Sequence, residues 1–190
     1  MKNNLRKRAR YFWNNDILWN RLTSIATVVV AVTIIPLCGQ LKLAKNVATS
    51  DFIAEMDEEF NSSRMLKIRK EAALSFKESG DISGCEDVLD FFEKIAYEEK
   101  IGVISLDAVD AMWGYWIEHY WQLSKSYIKN FRAKRNNSSY YASVEDLYKR
   151  LILRASKEAK ITTNEYTERM KHDLEDFKQG ESQLSIVNEK

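Results

Sequence analysis

The chain has 190 residues, one Pro and six Gly, with 29 basic residues against 28 acidic ones. That length suits one folded domain with an appendage, and turn residues are too scarce for a β-sandwich or barrel. A net charge of +1 excludes nucleic-acid binding by bulk charge alone, and two Cys with two His are too few for a zinc finger or an iron–sulfur cluster.

Residues 1–16 form a basic stretch suited to a membrane interface. Residues 22–38, LTSIATVVVAVTIIPLC, then run 17 residues without a charge. At about 1.5 Å per residue they fall just short of a ~30 Å hydrocarbon core. Ile17, Leu18, Leu41 and Leu43 lengthen the run, so residues 17–43 are expected to form a transmembrane helix. Arg21 can snorkel, and Trp13 and Trp19 suit an interfacial belt. A signal peptide also has a basic start and an apolar run, and a run of this marginal length also suits a buried core helix. A lipoprotein signal needs a small residue before Cys38, where Leu37 stands.

Inside the run, Asn20, Ser24, Thr27 and Ala31 fall at spacings of 4, 3 and 4, on one narrow helical stripe. Such a stripe packs helices together in lipid, or lines a narrow pore in an oligomer. Both readings stay open. Pro36 frees a backbone carbonyl in either case.

No breaker follows the run, so residues 44–60 read as a helical stalk. This stalk carries five acids (Asp51, Glu55, Asp57, Glu58, Glu59) and, from residue 46 on, no base. Residues 61–180 read as a compact helical bundle. Asn61, Ser62 and Ser63 cap a helix through Phe76, and a loop spans 78–84. Residues 86–100 are amphipathic, with Val88, Leu89, Phe91, Phe92, Ile95 and Ala96 inward, and Gly102 closes them. Ser105 caps a long helix to about Arg132, bent at Gly114. Ser143 and Asp146 resemble a capping box for the next helix. Thr162 or Thr163 caps the last one, Gly180 ends it, and residues 181–190 form a frayed tail. The fold class is therefore all-α: an N-terminal transmembrane helix continuing into a stalk and a bundle.

No His-Glu-x-x-His, Gly-rich phosphate loop or nucleophile elbow is present, so the expectation is a protein that is not an enzyme and needs no cofactor. His119 and His172 lack partners at metal-ligand spacing; His119 reads as a core-edge residue. Trp113, Trp116 and Tyr120 share the core face of the long helix, with Tyr115 off it. The stretch FRAKRNNSSYY stands out. From Phe131 to Lys160 there are eight bases against three acids. Arg132, Lys134, Arg135, Tyr140 and Tyr141 combine phosphate-binding cations with stacking rings, the composition of a nucleotide or oligonucleotide site. A solvated loop or a patch on anionic headgroups has the same composition.

QLKLAKNVATSDFIAEMDEEFNS, CEDVLDFFEKIAYEEKIGVISLD, WGYWIEHYW and SSYYASVEDLYKRLI together resemble a bacterial family of single-pass, membrane-anchored helical domains of unknown function. That group resembles membrane effectors of anti-phage systems such as Hailong. There, a tetrameric channel is controlled by short DNA oligomers from a partner nucleotidyltransferase. The resemblance implies a homo-oligomer, with a tetramer favoured, in the bacterial inner membrane. It implies a cytoplasmic domain that takes a nucleotide or short DNA ligand. The charge count points the other way: Lys2, Arg6, Lys7, Arg8, Arg10 and Arg21 precede the apolar run, and only Lys42 and Lys45 follow it closely. By the positive-inside rule the domain lies outside.

Overall fold

The computed structural model describes the backbone of residues 2–79 and 84–185, and side chains at 19–30, 32–34, 36–77 and 84–185. All regular structure among the described residues is helical. The chain divides into two units, Met1–Ala48 and Thr49–Lys190.

The first unit lies within helix α1, Lys2–Asn61. The helix begins well before the apolar run and carries Pro36 inside it. Every described side chain from Trp19 to Ala48 is exposed, Val28 and Ile25 each at 61%. Apolar surface on this scale is rarely left in water, and the helix is long and apolar enough to cross a membrane. The Ser24 hydroxyl donates to Asn20 O at 2.8 Å, and that of Thr27 donates to Thr23 O at 2.8 Å. These protons are satisfied within the helix. The side chain of Ala31 lies outside the described residues.

The second unit is a helical bundle. The last turns of α1 deliver Met56 and Phe60 into its core. Ser62 closes α1 and opens α2 (Ser63–Ser79): its hydroxyl donates to Glu59 O at 2.7 Å and accepts from Met65 N at 3.2 Å. Helix α2 runs to Ser79, into the loop expected at 78–84; residues 80–83 lie outside those described. Helix α3, Glu86–Lys100, buries the six residues expected of it. Burying each large one, such as Leu89 or Ile95, contributes about 1.5–3 kcal/mol. Gly102 sits at φ 79°, in the left-handed region, and donates to Glu99 O at 3.0 Å.

The single long helix expected from Ser105 is three pieces. Ser105 does cap α4, Leu106–Val109, accepting from Ala108 N. A π-helical turn follows at Asp110–Gly114, and then α5, Tyr115–Arg135. A Cβ at Gly114 would lie 2.5 Å from Asp110 Oδ1, so glycine lets the acid fold over the widened turn. Helix α5 ends at Asn136, at φ 48°.

Helix α6, Ala142–Glu158, lacks the Ser143–Asp146 capping box. Its N-cap, Tyr141, makes no side-chain cap. The carboxylate of Glu93 on α3 replaces it, accepting from Ser143 N at 3.2 Å and Val144 N at 2.9 Å. Asp146 turns instead to Arg150, at 3.0 Å. In α7, Thr163–Ser182, the N-cap is Thr162 of the two expected candidates, and Glu165 completes a capping box with it. That helix runs through Gly180 because Glu181 is anchored in the core by Arg69. Backbone description continues to Ser185; 186–190 lie outside it.

Candidate functional site

Helices α5 and α6 are joined by the short turn at 136–141, which brings the C-terminal half of α5 beside the start of α6. On α5, Trp121, Lys125, Ile128, Lys129 and Arg132 follow helical spacing on one stripe. On α6, Glu145, Tyr148 and Lys149 face them across a cleft of about 410 Å³. The floor is aromatic: the rings of Trp121 and Tyr148 lie 5.8 Å apart and both are nearly buried. The rim is cationic, with four bases and one acid.

Lys125, Arg132, Lys149 and Glu145 are each positioned by a specific contact. The Lys125 ammonium lies 5.1 Å from the Tyr148 ring centroid, a cation–π arrangement. Partial desolvation, then the nearby Lys171 charge, pulls its pKa below the usual lysine value. Arg132 Nε donates to Tyr140 O at 2.8 Å, and Nη1 donates to Glu145 Oε2 at 2.7 Å. Its Nη2 is buried without a hydrogen-bond partner. Lys149 donates to Glu145 Oε1 at 2.7 Å. Lys149 first, then Arg132, hold the Glu145 carboxyl below its ordinary range. Gln122 donates to the Tyr148 hydroxyl at 2.9 Å, and burial raises the Tyr148 pKa to about 12.

The five residues expected at the ligand site are divided by the fold. Only Arg132 lines the cleft. Lys134, Arg135 and Tyr140 are exposed around the turn, with Arg135 over the Phe131 ring at 5.5 Å. Tyr141 is a correction: it is only 7% exposed, and its hydroxyl bonds Asp90, so it belongs to the core. Its φ of 56° turns the chain into α6 and carries the ring inward. Lys125, Lys129 and Lys149 line the cleft and lie outside the expected set. For the two on α5 the sequence carries a signal, bases at positions 125, 129 and 132 on one stripe, one turn beyond Trp121; Lys149 on α6 has none of that kind.

Two other expectations can be placed. His119 is core: Nδ1 lies 2.6 Å from Tyr115 O, and the ring stacks on Phe177 at 4.7 Å. Burial lowers its pKa. The stalk acids Glu55 and Glu59 both approach Lys94, at 3.5 Å. Among the described residues no group of three or more His, Cys, Asp or Glu is placed to hold a metal.

Residues 22–151 match the family described as Domain of unknown function (DUF4760). The chain belongs to that family. The matched span takes in the apolar part of α1 and every residue lining the cleft, while α7 of this DUF4760 protein lies beyond it. No curated protein and no solved structure matches the chain.

Proposed function

We propose that this protein is an oligomeric, single-pass inner-membrane effector whose helical bundle binds a nucleotide-type ligand in the α5–α6 cleft, ligand occupancy controlling ion passage through the assembled membrane helices. The observation that carries this reading is the convergence of Lys125, Lys129, Arg132 and Lys149 on one cleft. Four cations around an apolar floor suit a phosphate attached to a larger organic body. The exposed apolar span of α1 supports the membrane assignment. Asn20, Ser24, Thr27 and Ala31 are the pore-lining residues in this reading. Lys134, Arg135 and Tyr140 give an oligonucleotide further contacts at the cleft mouth.

The setting follows the resemblance: anti-phage defence, a tetramer, a cytoplasmic bundle, and a short DNA or nucleotide ligand made by a partner nucleotidyltransferase. Planar-bilayer recording of the full chain, with and without short 5′-phosphorylated oligonucleotides, tests it. The expected result is a conductance that changes with ligand, and that Thr27→Leu alters. A membrane protein without conductance under any of these ligands overturns the channel reading. A reporter fused after Lys190 tests the orientation. Activity on the periplasmic side removes cytosolic nucleotides as ligands.

A second reading is a membrane-tethered scaffold that recruits a protein. One observation favours it: an open cleft of about 440 Å³ exposes Leu153 at 46%, beside Leu106, Arg150 and Arg154. Under this reading Leu153→Asp abolishes recruitment and no variant changes membrane conductance.

A further inference from the structure

The cleft already contains an anion of its own. The Glu145 carboxylate bridges two of the four cations, Oε2 accepting from Arg132 Nη1 and Oε1 accepting from Lys149, both at 2.7 Å. A bound phosphate would make the same two-point contact with these groups. We propose that Glu145 is a resident competitor that sets the charge specificity of the cleft, admitting ligands with a terminal phosphate monoester dianion and rejecting phosphodiester monoanions. The proposal rests on the reading of this cleft as a phosphate site.

The argument is electrostatic. A ligand that takes Arg132 and Lys149 must displace one negative charge from them. A monoanion replaces like with like and leaves Glu145 without its partners, so nothing is gained. A dianion brings twice the charge to the same two cations, and Lys125 and Lys129 stand on the same cleft for the surplus. Arg132 is prepared for the exchange. Its Nε stays on Tyr140 O, which keeps the guanidinium plane fixed. Its Nη2 is buried and unpartnered, so the closed pair leaves a donor unsatisfied. A phosphate with three terminal oxygens can accept from Nη1 and Nη2 together, whereas Glu145 reaches only Nη1. Other charges near the pair do not replace it: Lys171 on α7 is a cation held by Glu168, and Arg135 lies over Phe131.

The test compares AMP with 3′,5′-cyclic AMP, which share base and sugar and differ in phosphate charge. Binding to the full chain in lipid nanodiscs is measured by calorimetry at about pH 7.5, above a second phosphate pKa of about 6. The wild type is expected to prefer AMP by about tenfold or more, the worth of one charge-assisted contact. Glu145→Gln should bind both more tightly and shrink the preference to within about threefold. Glu145→Asp, which keeps the charge, should retain a preference for AMP. A melting curve on each variant establishes folding. Helix α6 keeps its Glu93 cap in all of them.

Equal wild-type affinity for the two nucleotides, or a Glu145→Gln ratio unchanged from wild type, overturns the role of Glu145 and leaves the cleft as a phosphate site. Failure of AMP, cyclic AMP and pyrophosphate alike to bind the wild type and Glu145→Gln overturns the cleft reading itself, and this inference with it.

Discussion

Arg69 of α2 meets Glu181 of α7 through two hydrogen bonds, at 2.8 Å from Nε and 2.6 Å from Nη2, with side chains 3% and 7% exposed. Tyr120 donates to the same carboxylate at 2.7 Å and Trp116 at 3.3 Å. The guanidinium also lies 4.0 Å from the Phe60 ring centroid. One ion pair therefore joins the end of α1, α2, α5 and α7. Breaking it from one side leaves a buried charge alone. Glu181→Leu is expected to cost about 3–5 kcal/mol, whereas Arg69→Met with Glu181→Leu should recover much of that loss. Chemical denaturation of the two variants checks this; equal losses would mean that the pair itself, not the orphaned charge, carries the stability.

Capping of α6 by Glu93 makes a second prediction. Glu93→Ala should destabilise the bundle by about 1–2 kcal/mol and speed amide exchange at Ser143 and Val144. Ser143→Ala should change stability by less than about 0.5 kcal/mol, since its side chain caps nothing. Thermal melts and hydrogen exchange separate the two.

The Glu118 carboxyl predicts a pH dependence. Burial is the main reason that its pKa rises to about 7; Asp110 adds to the rise, and the Tyr166 hydroxyl, donating at 3.0 Å, opposes it. Between the ordinary carboxyl value of 4.5 and about 7 the folded protein holds a proton that the unfolded chain has released. Stability from this group is complete below that window and is lost as pH rises across it, by roughly 3 kcal/mol. Glu118→Gln stays neutral throughout and should flatten the profile. Urea midpoints at several pH values read it out, and an unchanged slope in Glu118→Gln would reject this assignment.

The cleft and the neighbouring turn make opposite predictions for ligand binding. Lys125→Ala, Lys129→Ala and Lys149→Ala should each weaken AMP binding by about three- to tenfold and reduce its salt dependence. Lys134→Ala and Arg135→Ala should leave mononucleotide affinity within about twofold, because an exposed cation in water contributes little. The reverse pattern, measured by calorimetry at two salt concentrations, would move the site to the turn. Arg132→Ala is less informative alone, since Arg132 also ties α5 to the turn and to α6.

What the sequence determined by itself is local and periodic. The apolar run, the six inward residues of α3 and the caps at Ser62, Ser105 and Thr162 all depend on residues within one or two turns of each other. Propensity, hydrophobic period and capping chemistry act over that range, so the all-α class and the apolar helix could be read directly. Tertiary structure decided what depends on residues distant in sequence. Ser143 and Asp146 have the spacing of a cap, but a carboxylate fifty residues earlier reaches the same N–H groups. Gly180 looks like a stop, yet Glu181 continues the helix because Arg69, more than a hundred residues away, holds it. The basic turn stands out by composition alone. The left-handed backbone at Tyr141 buried one of its rings, and the packing of α5 on α6 gathered Lys125, Lys129 and Lys149 around Arg132 instead. A charge acts through space, and only the fold sets which charges are neighbours.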